Sequence, residues 1–225
     1  AEIAYWGGYF FYHNRLHRNY QDDISLHYYL LASKDGITIG KRYFKHENNK
    51  EDYPFSPSGH NLYDNNSKLY YCRDFDNIVY QIHEDSVVPR FRINLPNPLP
   101  ASMIEERPNE MSLLRSGYSL GITDIYEYGG LLFFRFVKDG YIWSCLYNVE
   151  ESKQVYCAKR IKFLDSSLID TIDGIYKDCF YSILTPEYLD YAFSENPLED
   201  YPDLFKTYDV EGDNPVIAFY RAVVR

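Results

Sequence analysis

Short apolar and aromatic runs, most of them only long enough for one strand, recur along the whole chain. Phe91, Ile93 and Leu95 alternate with polar residues, and this period of two predicts a strand that is buried on one face. Leu131–Val137 and Val216–Val224 are nearly continuous apolar runs, which predict strands covered on both faces. Such a chain must fold largely as β-sheet.

Tight turn signals separate these runs. Asp35-Gly36 and Asp139-Gly140 are hairpin signals between apolar segments, and Gly129-Gly130 separates two further strands. Helical signals are few. Thr185-Pro186 places an N-cap residue before a proline, which predicts a helix start, and a second short helix is expected within 197–205. The proline-containing stretch Asn97–Arg107 is expected to be a long surface loop.

The strand pattern repeats four times, and corresponding strands begin near residues 28, 78, 142 and 215. A β-propeller blade takes about 40–50 residues in four strands, so the longer spacings fit blades with inserted loops. We therefore predict an all-β protein, a single β-propeller domain over 1–225 with about four blades, with a β-sandwich as the alternative. The predicted strands are 5–12, 26–33 and 37–44; 61–64, 68–73, 78–83 and 89–95; 123–128, 131–138, 141–148 and 154–163; and 172–176, 178–184 and 215–224.

Composition and charge exclude several function classes. Aromatic residues make up 18% of the 225 residues and apolar residues 45%, which excludes a disordered chain. The formal charge of −10 disfavours nucleic acid and anionic membrane surfaces as partners. No P-loop, G-x-G-x-x-G or G-x-S-x-G motif is present, so the sequence identifies no catalytic residue and no cofactor.

Four cysteines lie at positions 72, 145, 157 and 179, and none forms a C-x-x-C pair. Without such pairs we expect no zinc or redox centre, and no metal site. Cys145 and Cys157 flank a turn-like stretch, so a disulfide between them is geometrically conceivable. Buried free thiols are nevertheless our expectation for these cysteines.

Two stretches carry a family resemblance. Leu69–Ile82 with Val88–Leu95, and the closing Asp213–Tyr220, resemble the six-bladed β-propeller lipoproteins of gut anaerobes. The resemblance implies a fold and a location: a lipid-anchored protein in the periplasm or on the outer cell surface. Because only four blades are visible, it also implies that this chain is the C-terminal part of a larger propeller, with a lipidated cysteine upstream.

Propellers bind ligands at the mouth of a central channel, which the innermost strands line. In the strand assignment above, these strands carry polar residues that we predict to contact a ligand: His60, Asp64, Asp124, Glu127 and Asp173, with Asp178 beside them. Trp6 and Trp143 lie in aromatic-rich strands, where core positions are expected.

Two functions fit these observations. The first is a non-enzymatic binding or scaffolding protein outside the cytoplasm that recognises a glycan, a peptide or a protein through one propeller face. The alternative is a polysaccharide hydrolase or lyase that uses carboxylates at the channel mouth.

Overall fold

The computed structural model describes residues 2–14, 28–45, 57, 60–106, 108–159, 172–195, 208–209, 211–212 and 214–221. Strands dominate the described chain, which confirms the all-β prediction. None of the described helices is long and apolar enough to cross a membrane. The predicted helix within 197–205 lies outside the described residues.

Among the described residues, fifteen strands form four sheets, one for each predicted repeat. In each sheet, strands that follow one another in the chain lie side by side. Sheets A, B and C have four strands each, and sheet D has three among the described residues. Sheet A contains β1 (Glu2–Trp6), β2 (Tyr9–His13), β3 (Tyr28–Ser33) and β4 (Ile39–Lys45); sheet B contains β5 (Leu62–Asp64), β6 (Leu69–Cys72), β7 (Ile78–Ile82) and β8 (Val87–Arg92); sheet C contains β9 (Ser119–Tyr128), β10 (Leu131–Lys138), β11 (Tyr141–Asn148) and β12 (Lys153–Ala158); sheet D contains β13 (Gly174–Tyr176), β14 (Cys179–Leu184) and β15 (Val216–Tyr220).

The first strand prediction, 5–12, was wrong because this segment holds a hairpin instead of one strand. Gly7 and Gly8 both have positive φ angles, 55° and 79°, and they form the two-residue turn between β1 and β2. Paired glycines favour this turn because the type I′ hairpin turn, the mirror image of the type I turn, needs positive φ at both central residues. Trp6 and Tyr9 face each other across it. Sheet A therefore has a complete set of four strands.

The chain divides into two compact units, and the division passes through sheet C. The first unit holds 1–125 and 134–142, and the second holds 126–133 and 143–225. In the first unit, Phe11 and Leu30 of sheet A form an apolar core with Tyr71 of sheet B. A core in the second unit contains Phe133, Phe180 and Leu189, among other residues.

Three helices lie between strands in the part of the chain that the structure describes. The predicted helix start at Thr185-Pro186 is confirmed by α3 (Pro186–Glu195), where the Tyr188 N–H donates to Thr185 Oγ1 over 3.3 Å. The prediction of a loop over 97–107 was partly wrong, because α1 (Ala101–Glu105) begins directly after Pro100. Proline is tolerated at helix starts, where its missing N–H costs no hydrogen bond. The helix α2 (Glu110–Leu114) was missed, although Asn109 caps it by accepting from the Ser112 N–H.

The expectation of free thiols was wrong for two of the four cysteines. Cys145 and Cys157 are disulfide-bonded, whereas Cys72 and Cys179 are free. The register between β11 and β12 places the two bonded residues directly opposite each other, with their Cα atoms 4.1 Å apart. Sequence could indicate the hairpin, but only the register brings the two sulfur atoms together.

The two ends of the sheets carry different strand connections among the described residues. At one end, here called the turn end, the connections have two to five residues: 7–8, 34–38, 65–68, 83–86, 129–130, 149–152 and 177–178. The opposite end is where the first strand of each sheet begins, and it is called the loop end. Alternating strand directions bring to this end the short connections 73–77 and 139–140 and the long connection between β8 and β9, of which 93–106 and 108–118 are described.

Gly121 allows sheet C to approach the β6–β7 turn. A Cβ atom at Gly121 would lie 2.8 Å from the Phe75 Cα, and the φ angle of Gly121 is 106°. The change Gly121→Ala should therefore lower the free energy of unfolding by about 3 kcal/mol, combining left-handed strain with a backbone clash. Gly8→Ala is the control, because its Cβ would meet nothing within 4 Å, and it should cost only about 1 kcal/mol. Urea denaturation measures both, and equal costs would contradict the proposed close approach.

Candidate functional site

Polar and aromatic side chains gather at the loop end of sheets A and B, within the first unit. We call this group the loop-end cluster. It is built from the starts of β1, β3 and β5, the end of β4 and the β6–β7 turn: Glu2, Tyr29, Phe44, His60, Asn61, Arg73, Asp74 and Asp76.

The β6–β7 turn is fixed by Asp76. One carboxylate oxygen accepts hydrogen bonds from the backbone N–H groups of Asn77 and Ile78, at 2.7 and 3.1 Å. The other accepts from Nε and Nη2 of Arg73, at 2.9 and 2.6 Å. Aspartate commonly stabilises turns by this bonding to following N–H groups. Because one side chain holds both the turn and Arg73, the guanidinium has a defined position.

Arg73 also contacts aromatic rings from sheet A. Its guanidinium carbon lies 5.3 Å from the ring centre of Phe44 and 5.9 Å from that of Tyr29. Burial alone lowers the pKa of Arg73, but the neighbouring Asp76 carboxylate outweighs this and the pKa is raised. Arg73 is therefore a permanent cation held between a carboxylate and two rings, which is a stabilising arrangement for a partly buried guanidinium.

Glu2 links the first strands of sheets A and B. Its carboxylate accepts from the backbone N–H groups of Asn61 and Leu62, at 2.6 and 3.1 Å. His60 Nδ1 lies 3.6 Å from Glu2 Oε1, and 70% of the His60 side chain is exposed. The Asn61 amide donates to Asp74 Oδ1 over 3.1 Å. This network presents an imidazole and a carboxylate on a rigid backbone frame.

Beneath the cluster lie buried groups that are suited to structure rather than to chemistry. His13 Nδ1 lies 3.2 Å from the Tyr71 hydroxyl oxygen, and both side chains are buried. Burial raises the pKa of Tyr71 and the pKa of the Cys72 thiol well above their ordinary values. A thiol that stays protonated is a poor nucleophile. The cluster can bind polar groups, and the Cys72 thiol is not poised for covalent catalysis.

The predicted site residues lie at different ends of their sheets. His60 precedes β5 at the loop end, and Asp173 precedes β13 at the loop end of its own sheet. Asp64 ends β5 at the turn end of sheet B, and Asp178 lies in the β13–β14 turn at the turn end of sheet D. Asp124 lies within β9, and the partly buried Glu127 is near the turn end of that strand. Of these six residues, only His60 belongs to the loop-end cluster.

Several predicted carboxylates are engaged by protein groups. Asp124 Oδ2 accepts from Arg135 Nε and Nη2 at 2.8 and 2.7 Å. Asp173 Oδ2 accepts from the Ile183 N–H over 2.7 Å, and Asp178 forms an ion pair with Arg221. These contacts give the three carboxylates structural roles.

The two tryptophans have different surroundings. Trp6 packs against the core between sheets A and B, as predicted, while Lys159 Nζ lies 5.7 Å from the ring centre of Trp143. Within the described ranges, no group of three or more His, Cys, Asp or Glu side chains is arranged to hold a metal ion.

Sequence reasoning missed Glu2, Arg73, Tyr29 and Phe44 as members of the cluster. Arg73 and Asp76 stand in a charged stretch between two aromatic strands, which was a usable local signal. The hydrogen bond between the Asn61 N–H and Glu2 joins residues 59 positions apart, so no local sequence pattern predicts it.

Two comparisons with known proteins identify the architecture. Residues 4–167 match the family model DUF5128, described as "6-bladed beta-propeller". A crystal structure of a "Putative exported protein" from Bacteroides fragilis NCTC 9343 superposes with a TM-score of 0.73 at 16% sequence identity, over 97% of this chain and 64% of that chain. No curated protein matches the chain. The propeller prediction is thereby confirmed over the β-sandwich alternative.

The Arg73–Asp76 pair should contribute more to stability than an exposed pair. Arg73 and Asp76 are 32% and 11% exposed, whereas the control pair, Lys41 and Asp85, is 27% and 90% exposed. A double-mutant cycle with Arg73→Gln and Asp76→Asn should give a coupling energy of about 2 kcal/mol. The same cycle with Lys41→Gln and Asp85→Asn should give at most about 1 kcal/mol. Urea denaturation gives both values, and a coupling for Arg73–Asp76 no larger than the control would contradict the assigned role of Asp76.

Proposed function

The chain belongs to the DUF5128 family of six-bladed β-propellers, and on that premise we propose that it binds a glycan, a peptide or a protein without converting it chemically. The supporting observation is the unequal distribution of loops. Among the described residues, the connections at the turn end have two to five residues, whereas the long connection between β8 and β9 begins and ends at the loop end. Binding residues concentrate on loops that a rigid scaffold positions, which favours the loop end as the binding face.

The chemistry of the loop-end cluster agrees with recognition. His60 offers an exposed imidazole, and Asp74 offers carboxylate oxygens next to the Asn61 amide. Such groups form hydrogen bonds with sugar hydroxyls or with peptide groups. The hydrolase or lyase alternative has less support, because Asp124 and Asp173 are already bonded to Arg135 and to the Ile183 N–H.

We propose that the protein works outside the cytoplasm, in the periplasm or on the outer cell surface, held by a lipid anchor upstream of residue 1. Three observations support this location. The superposed Bacteroides protein is described as exported, the sequence resembles propeller lipoproteins, and Cys145–Cys157 is a disulfide. Disulfides persist in oxidising compartments outside the cytoplasm.

We further propose that the four sheets are the C-terminal part of a single propeller. The family has six blades, the described residues form four sheets, and the chain spans 64% of the superposed protein. Two further sheets would bring the total to the six blades of the family.

An array of immobilised soluble polysaccharides and peptides, probed with the complete protein, tests the binding proposal. For a retained probe, His60→Ala should weaken binding about tenfold, the loss expected for one or two hydrogen bonds. Asp64→Ala, an exposed change at the turn end, is the control and should change the Kd less than about twofold.

Two results would contradict this proposal. One is an equal increase in Kd for the His60→Ala and Asp64→Ala variants, which would exclude the loop end as the binding face. The other is the release of new reducing ends from a polysaccharide probe, lost in Glu127→Gln, which would favour the enzymatic alternative.

A further inference from the structure

The last strand of each four-stranded sheet has one neighbouring strand among the described residues, and we call β4, β8 and β12 the outer strands. Two of them are held by side chains as well as by backbone pairing. Tyr43 and Phe44 of β4 pack against the apolar core that contains Phe11. Val87 of β8 packs against the same core, and the Phe91 ring lies 6.0 Å from that of Tyr70. Apolar side chains therefore attach β4 and β8 to the rest of the protein.

The outer strand of sheet C has less of this support. Lys153, Gln154 and Val155 form the first half of β12, and all three are exposed. The aromatic side chain of β12, Tyr156, is half-buried opposite Leu146. Backbone pairing does not compensate, because the register of β12 on β11 shifts at one point, as the registers of β4 and β8 on their neighbours also do.

A covalent bond joins β12 to sheet C instead. Cys157 of β12 lies directly opposite Cys145 of β11, and the two are disulfide-bonded. Neither β4 nor β8 contains a cysteine. The bonded residues are 12 positions apart in one hairpin, so the bond acts on β12 and not on distant parts of the chain.

We propose that the Cys145–Cys157 disulfide is a redox-sensitive switch that controls the attachment of β12 to sheet C. When the bond is reduced, β12 keeps its backbone hydrogen bonds and the packing of Tyr156, and these are too few to hold it in place. Separation of β12 makes β11 the edge of the sheet. The N–H and C=O groups of β11 that now pair with β12 are then open to water or to another strand.

The reductant that this switch requires is a dithiol. Cys157 is half-buried on an outer strand, whereas Cys145 is 4% exposed, so an external thiolate attacks the Cys157 sulfur. A mixed disulfide forms at Cys157, and Cys145 leaves as a thiolate that takes up a proton. The second thiol of the reagent then displaces Cys157, which is also protonated. Two electrons and two protons pass to the protein, and the dithiol becomes a disulfide.

Hydrogen–deuterium exchange of the complete protein, read by mass spectrometry with and without excess dithiothreitol, tests the proposal. The amides of 153–158 should exchange at least about tenfold faster in the reduced protein, because β12 then opens more easily. The amides of 87–92 in β8 are the matched control, and their exchange should change less than about twofold. Oxidising the protein again should restore the slow exchange of 153–158.

Cysteine variants repeat the test without a reductant. The double variant Cys145→Ser, Cys157→Ser should show the fast exchange of 153–158 in the absence of dithiothreitol. Cys179→Ser is the control, because it removes a thiol that is free, and it should leave this exchange as in the wild type. The wild-type measurement does not depend on the folding of any variant.

Three results would overturn the proposal. Unchanged exchange of 153–158 in the reduced protein would show that β12 stays attached without the bond. Equal acceleration of 87–92 would show that the bond stabilises the whole protein and not β12. A bond that dithiothreitol reduces only in denaturant would show that dithiols do not reach it in the folded protein. The measurement is made without ligand, so its outcome is independent of whether the polysaccharide and peptide probes bind.

Discussion

Burial of both faces of a sheet is the constraint on which the rest of this structure depends. Tyr70 and Tyr71 are consecutive in β6, so their side chains lie on opposite faces, and both are 0% exposed. A sheet with two apolar faces is stable only between two neighbours, because exposing either face costs roughly 25 cal/mol for each Å² of apolar surface. Many polar side chains then lie at the strand ends and in the loops, as in the cluster around Arg73 and Glu2.

The sequence allowed much of this fold to be predicted because strand formation leaves local patterns. The apolar run Leu131–Val137 and the turn at Asp139-Gly140 both lie where they were expected. The hairpin at Gly7-Gly8 was missed because aromatic residues on both sides read as one continuous strand. The Cys145–Cys157 bond was not predicted because it depends on which residues face each other across two strands.

The candidate site was less predictable, since its contacts join residues far apart in the chain. His60 was predicted as a site residue because it precedes a strand that opens a sheet, and the structure places it in the loop-end cluster. Glu2 has no such signature, because its partner Asn61 comes from another sheet. Asp124 looked like a ligand-binding acid in the sequence, but Arg135, on the neighbouring strand in the same sheet, neutralises it. An acid on a strand can be assigned a role only when its cross-strand partner is known.

The intact mass of the mature protein, isolated from its native cell, tests the central claim most directly. If these four sheets belong to one six-bladed propeller, the mass should exceed the 26.7 kDa of residues 1–225 by the mass of roughly 80–100 residues, at about 40–50 residues for each missing blade. A native mass of 26.7 kDa would contradict the account, because the four sheets of the described residues would then have no further blades from the same chain to complete the six of the family.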